Sequence, residues 1–77
     1  MELPENSYTT KLFKEGGNRI IQKVGEEAIE TVIAAKNRDK EEIINETSDL
    51  IYHLFVMLAE QDIEFNDIIN NLEGRHK

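Results

Sequence analysis

Two long stretches of helical periodicity, separated by a short polar turn, limit this chain to an all-α hairpin. Apolar positions recur every three or four residues from Arg19 to about Lys36 and again from Lys40 to about Glu60, as in amphipathic helices. Asn37-Arg38-Asp39 forms the turn, and Glu42, three residues after Asp39, makes Asp39 the predicted N-cap. The predicted centre of the fold is therefore two antiparallel helices.

Each long helix has a main apolar face that predicts its core residues. In the first helix these are Ile20, Val24, Ala28, Thr31, Val32 and Ala35, and in the second they are Ile43, Ile44, Thr47, Leu50, Ile51, Leu54 and Leu58. Further apolar residues, among them Ile29, Ile33, Tyr52, Phe55 and Val56, lie outside these faces. A chain this short buries only about 60% of its unfolded surface, so we expect two copies to pair into a multi-helix bundle.

Short helices are predicted on both sides of the hairpin. The first runs from Tyr8 to Lys14 with Ser7 as its cap, and Gly16-Gly17 ends it. Asn18 is the expected N-cap of the helix that follows.

After a turn from Gln61 to Glu64, a last helix begins at Glu64 or Asn66 and runs through Leu72, with Gly74 as its stop. Its inward residues are expected to be Phe65, Ile68, Ile69 and Leu72. Residues 1–77 form a single all-α domain in this interpretation, with residues 1–6 as a loose arm.

Composition narrows the function classes. The chain has no cysteine and a formal net charge of −7, which argues against disulfides, thiolate metal sites, nucleic acid and anionic membranes as partners. No apolar run approaches the roughly 18 residues of a membrane span. We expect a soluble, cytoplasmic protein.

Two pairs of carboxylates are the candidate metal ligands of the chain. Glu27 and Glu30 are three residues apart on the first long helix, and Glu46 and Asp49 have the same spacing on the second. Hard oxygen ligands suit Mg²⁺, with Mn²⁺ as the alternative, and Mg²⁺ often completes its shell with substrate phosphates. The alternative interpretation is a solvated acidic face, and helical periodicity alone does not distinguish it from a metal site.

The pattern E-E-x-x-E (Glu26, Glu27, Glu30) followed by E-x-x-D (Glu46, Asp49) resembles the signature of the all-α nucleoside-triphosphate pyrophosphohydrolases, which include MazG-type enzymes. The surrounding segments are similar to the phosphoribosyl-ATP pyrophosphatase family, and the resemblance runs from about Ser7 to Arg75. Those segments are Ser7-Tyr8-Thr9, Lys11-Leu12-Phe13, Gln22 to Ala28 with Glu30-Thr31, and Asp49 to His53.

The resemblance implies a homodimer that uses Mg²⁺ to hydrolyse phosphoribosyl-ATP between its α and β phosphates, the second step of histidine biosynthesis. It makes Glu27, Glu30, Glu46 and Asp49 the expected metal ligands. Glu26 is the candidate for a second-metal ligand or general base, unless it is merely exposed.

The expected substrate contacts are four residues with nitrogen-bearing side chains, Lys23, Lys11, Arg19 and His53. Within the family motif Lys23 is favoured as a phosphate ligand over a simple intrahelical ion pair, and Lys11 and Arg19 are candidates for the triphosphate or phosphoribosyl end. His53 is expected to orient other groups by hydrogen bonding rather than to bind metal, and Tyr52 to lie in the core or dimer interface.

Three alternatives stay open. A MazG-like enzyme would hydrolyse ordinary or damaged nucleoside triphosphates with the same carboxylates. A non-catalytic helical dimerisation module would use its acidic face only for solubility, and a regulatory subunit would bind a cation without hydrolysis.

Overall fold

Four α-helices make up the part of the chain that the structure, a computed structural model, describes, residues 8–75. The helices are α1 (Tyr8–Glu15), α2 (Gly17–Lys36), α3 (Lys40–Glu60) and α4 (Phe65–Arg75). This range contains no strand. The predicted all-α class and the hairpin of two long helices with short helices at each end are confirmed. No helix in residues 8–75 combines the length and the hydropathy that a membrane-spanning helix requires.

The junction between α1 and α2 is built on glycine. Gly16 caps α2 without a side-chain hydrogen bond. Its φ of 99° is a backbone conformation that residues other than glycine rarely adopt. The prediction of Asn18 as N-cap is wrong, because the chain already turns at Gly16 and Asn18 lies inside α2. The predicted cap Ser7 lies outside the described residues.

The two ends of the hairpin approach each other closely at Gly17. A Cβ atom on Gly17 would lie 2.9 Å from Oε1 of Glu60, at the end of α3, so a larger residue there would displace that side chain. The start of α2 therefore lies beside the end of α3, as an antiparallel hairpin requires.

The turn between α2 and α3 forms at the predicted position. Arg38 adopts φ 54°, and the Asp39 side chain accepts a hydrogen bond of 3.2 Å from the backbone N–H of Glu42. The turn at residues 61–64 is also confirmed. The prediction that Gly74 stops α4 is wrong, because α4 continues through it to Arg75.

The hydrophobic core forms where α1 packs onto the hairpin. Leu12, Ile20 and Val56 are buried together, with Phe13 and Met57 packed around them. The sequence pattern places Val56 on a second apolar side of α3, outside its main core face. Val56 is buried because α1 covers that side of α3, a contact that periodicity within α3 does not reveal.

Several predicted core positions are exposed within the described chain. Val32 on α2 and Ile44 and Ile51 on α3 are each about half exposed, and α4 has no buried residue. Phe65 of α4 does contact Phe55, with ring centroids 4.9 Å apart. Helical spacing shows that an apolar face exists, but not which neighbour covers it.

Candidate metal and phosphate site

Three carboxylates meet between α2 and α3. Glu27, Glu46 and Asp49 each place one oxygen so that all three atoms lie within 4.8 Å of one another. Glu27 is only 6% exposed, whereas Glu46 is half-buried and Asp49 is exposed. The structure therefore brings together three of the four predicted metal ligands, in a group that is buried at Glu27 and open to solvent at Asp49.

The fold places Glu27 there because of its position in a buried stripe. The buried residues of α2 are Ile20, Glu27 and Ala34, which are seven residues, or two helical turns, apart. Glu27 thus occupies a position that would ordinarily hold an apolar residue facing α3. Thr31 Oγ1 donates a 2.8 Å hydrogen bond to the backbone carbonyl of Glu27 one turn away.

The chemistry of the three carboxylates fits a divalent cation. Oε2 of Glu46 is buried and has no hydrogen-bond partner among residues 8–75, and leaving such an oxygen unpaired costs about 1–3 kcal/mol or more. Ligand oxygens lie about 2.1 Å from a Mg²⁺ ion, so the three carboxylates would draw slightly closer together if they shared one ion.

Lys23 neutralises part of this negative charge. Its Nζ lies 3.2 Å from Oε1 of Glu27 and 3.5 Å from Oε1 of Glu26. The hydrogen bond to Glu27 is the main cause that raises the pKa of Lys23 above its ordinary value, and the nearby Tyr8, Glu27 and Glu26 add to it against the opposing effect of burial. Lys23 is therefore a firmly charged cation at the edge of the carboxylate group.

Glu26 belongs to a more exposed ion-pair network. Gln22 donates a 2.7 Å hydrogen bond to Oε2 of Glu26, which is the main cause that lowers the Glu26 pKa, and Lys23 and Arg19 lower it further. Arg19 lies 3.8 Å from Glu26 and 3.5 Å from Glu15. A carboxylate with a lowered pKa is a poorer proton acceptor at neutral pH, so this environment suits a ligand better than a general base.

Two other predicted site residues are exposed. Glu30 is exposed and is not among the three carboxylates within 4.8 Å of one another. Lys11 is exposed on α1. Their roles stay predictions.

His53 ties the site to α1. It is 5% exposed, its Nδ1 lies 2.6 Å from the backbone carbonyl oxygen of Asp49, and its Nε2 lies 2.9 Å from the hydroxyl of Tyr8. A carbonyl oxygen only accepts, so Nδ1 donates, and in a neutral imidazole Nε2 then accepts from the Tyr8 hydroxyl. Both ring nitrogens are thus occupied within the protein, which agrees with an orienting rather than a direct substrate role.

Sequence analysis did not predict the hydrogen bond between Tyr8 and His53. Tyr8 and His53 are 45 positions apart, so no local spacing connects them. Tyr52 lies in the same aromatic cluster, with its ring centroid 5.1 Å from that of His53, and its hydroxyl is hydrogen-bonded to Thr9.

An apolar groove opens beside this cluster. It has a volume of about 260 Å³ and is lined by Thr9, Phe13, Tyr52, Phe55, Val56 and Ala59. None of the three clustered carboxylates lines it, so it is a surface separate from the proposed metal ligands.

Known proteins similar to this chain agree on one family. The family model described as phosphoribosyl-ATP pyrophosphohydrolase matches residues 1–76. The chain is 60% identical over 73 residues to the histidine biosynthesis bifunctional protein HisIE of Buchnera aphidicola subsp. Acyrthosiphon pisum, covering 95% of this chain and 34% of that protein. It is 55% identical over 75 residues to the protein of the same name from Bacillus subtilis, covering 97% and 36%.

A third relative gives the same result. The chain is 59% identical over 73 residues to the protein of the same name from Caldanaerobacter subterraneus subsp. tengcongensis, covering 95% of this chain and 36% of that protein. The chain spans about a third of the length of these curated relatives.

Proposed function

Because the chain belongs to the phosphoribosyl-ATP pyrophosphohydrolase family, we propose that it hydrolyses phosphoribosyl-ATP to phosphoribosyl-AMP and pyrophosphate in histidine biosynthesis. The family match and the relatives named for histidine biosynthesis support this activity. The observation that carries the proposal in the structure is the buried Glu27 facing Glu46 and Asp49, with a buried Glu46 oxygen that lacks a partner among residues 8–75.

The proposed cofactor is Mg²⁺, with Mn²⁺ as a substitute. Glu27, Glu46 and Asp49 would hold the ion, with Glu30 as a further candidate ligand after a side-chain rotation. When bound, the ion supplies positive charge for the phosphates and lowers the pKa of a bound water. The donor set supports this choice because it consists of carboxylates alone, without sulfur, which suits hard cations.

The protein's own residues position the substrate in this proposal. Lys23 at the edge of the carboxylates binds phosphate oxygens, which stabilises the negative charge that develops during phosphoryl transfer. Arg19, one turn before Lys23, and Lys11 on α1 are the next candidates for phosphate contacts. Tyr8 and His53 hold the backbone at Asp49 in place.

The first experiment measures pyrophosphate release from phosphoribosyl-ATP, with and without Mg²⁺, beside a panel of nucleoside triphosphates. We expect Mg²⁺-dependent release from phosphoribosyl-ATP and little from the panel. Activity confined to the panel would instead favour a MazG-like triphosphate hydrolase. Absence of both activities, in a folded protein, would favour a binding module.

We also propose that the active form is a homodimer. The support is a set of outer apolar residues at helical spacing, Ile21, Ile29 and Val32 on α2 and Ile44, Ile51 and Phe55 on α3, all of them exposed within the chain. Exposed apolar surfaces of this kind commonly mark protein interfaces. The cytoplasmic location stays a prediction.

Sedimentation of the Ile51→Glu variant tests the dimer. Ile51 is 47% exposed, so a charge there should leave the chain folded and yet oppose burial against a partner. We expect the variant to sediment as a monomer and the control variant Ile63→Glu, in the turn at residues 61–64, to remain dimeric. A dimeric Ile51→Glu protein would remove α3 from the interface.

A further inference from the structure

Lys23 and a divalent cation would compete for the same carboxylate. Lys23 Nζ lies 3.2 Å from Oε1 of Glu27, and Glu27 is also the most buried member of the three-carboxylate group. The Lys23 and Glu27 side chains are only 18% and 8% exposed. Their ion pair is therefore screened by solvent much less than an ordinary surface pair.

Through this ion pair, Lys23 places a positive charge beside the three clustered carboxylates. Glu27, Glu46 and Asp49 repel one another at this separation, and Lys23 offsets part of that repulsion through Glu27. A divalent cation on the same three oxygens would supply more positive charge and would repel the ammonium group. Lysine has a flexible stem with a mobile point charge, so Nζ can leave Glu27 without a change in the helix.

We propose that Lys23 is an exchangeable counter-ion, paired with Glu27 in the metal-free protein and transferred to the substrate's phosphate oxygens once a divalent cation binds. The inference rests on the proposed function, because it takes Glu27 as a metal ligand and a polyphosphate as substrate. It adds an order of events: the cation binds first, and its arrival frees the lysine that grips the phosphates. Lys23 then weakens cation binding and strengthens phosphate binding.

Mn²⁺ binding to the whole chain, measured from the electron paramagnetic resonance signal of free Mn²⁺, tests the first half. In the Lys23→Met variant Glu27 has no competing cation, so we expect Mn²⁺ to bind at least about 5-fold more tightly than in the wild type, the lower end of usual couplings between sites. Lys23→Arg keeps the charge and should stay near the wild-type affinity. Lys36→Met, an exposed lysine on the same helix, is the matched control and should change nothing.

Imidodiphosphate, a pyrophosphate analogue with a nitrogen bridge, tests the second half. At saturating Mn²⁺, calorimetry should show the Lys23→Met variant binding this analogue about 10-fold more weakly than wild type, a value in the lower part of the usual coupling range. The two opposite shifts, tighter metal and weaker phosphate, distinguish exchange from simple damage to the site, which would weaken both. Lys23→Gln supplies the same comparison in case Lys23→Met fails to fold.

Equal or weaker Mn²⁺ binding by folded Lys23→Met, beside normal binding by the wild type, would overturn the exchange and leave the proposed metal site intact. Absence of saturable Mn²⁺ binding by the wild type would overturn the metal site and the exchange together. The two failures are thus distinguishable from the wild-type titration alone.

Discussion

The inner and outer sides of the hairpin depart from the usual distribution of residue types. Inside, where α1, α2 and α3 pack, the buried residues include the polar side chains Glu27 and His53 beside a small apolar core. Outside, large apolar residues such as Ile29, 63% exposed, and Ile44, 55% exposed, face away from the chain. Buried polar groups cost stability unless they are paired, and large exposed apolar patches commonly mark interaction surfaces.

This difference suggests a division of tasks within one chain. The inner side holds the groups of the proposed site, which are positioned by the Lys23–Glu27 ion pair and by the hydrogen bonds of His53. The outer side keeps the apolar surface that a second copy is proposed to cover. A small chain with such an interior has little apolar core to stabilise it alone.

The largest effect is expected in the inner core. Leu12→Ala removes a side chain buried against Ile20 and Val56 and should lower the free energy of unfolding by about 2–5 kcal/mol. The matched outer truncation Ile29→Ala should cost less than about 0.5 kcal/mol in urea unfolding at concentrations low enough to separate chains. Equal losses at both positions would contradict the contrast between the two sides.

The next effect concerns the buried carboxylate. Glu27→Gln removes the negative charge of a proposed cation ligand. Because a bound cation stabilises the transition state by several kcal/mol, phosphoribosyl-ATP hydrolysis should fall at least about 100-fold. The control Glu73→Gln, an exposed carboxylate on α4, should keep full activity. Circular dichroism should show both variants folded, and retained turnover in folded Glu27→Gln would remove Glu27 from the site.

A smaller effect is expected from the link between α1 and the site. Tyr8→Phe leaves Nε2 of the buried His53 without its hydroxyl donor and should cost about 1 kcal/mol in unfolding free energy. Tyr52→Phe, which loses an exposed bond to Thr9, is the matched control and should cost less. Nitrogen chemical shifts of the His53 ring should change in Tyr8→Phe alone; an unchanged ring would show that the Tyr8 bond does not form in solution.

The smallest effect is the pH dependence of the Lys23 ion pair. The Lys23 pKa is raised above its ordinary 10.5 in the folded chain, chiefly by the hydrogen bond to Glu27. The stabilisation by the ion pair is therefore fully present below the ordinary pKa of 10.5 and is lost as the pH rises through the higher pKa of the folded chain. Thermal unfolding at pH 9 and pH 11 should show a larger loss for the wild type than for Lys23→Met, with Lys36→Met behaving as the wild type. Identical losses would show that the pair does not form.

Local sequence signals predicted most of the secondary structure. The turn at Asn37-Arg38-Asp39 and the N-cap at Asp39 depend only on neighbouring residues, and both formed as predicted. The N-cap at Asn18 failed because Gly16, whose positive φ suits glycine alone, turns the chain two residues earlier. The stop at Gly74 failed because glycine weakens a helix without ending it.

The candidate site was predictable only in part, because local spacing predicts which residues share a helix face but not which faces meet. Spacing of three and four residues puts Glu27 and Glu30 on neighbouring parts of one helix, and Glu46 and Asp49 on another, but it does not say which members meet. The structure brings Glu27 to Glu46 and Asp49 and leaves Glu30 exposed.

What the sequence alone determined is the list of helices, the turn between the long pair and the acidic pattern that marks the family, because each follows from short-range spacing and propensity. Only the tertiary structure decided that Val56 is buried while Ile51 is exposed, that Tyr8 bonds His53, and that Lys23 pairs with Glu27 at the edge of the site. These outcomes depend on how α1 packs on the hairpin and how α2 and α3 rotate against each other. A one-dimensional pattern contains several apolar faces, and only packing selects which of them is buried.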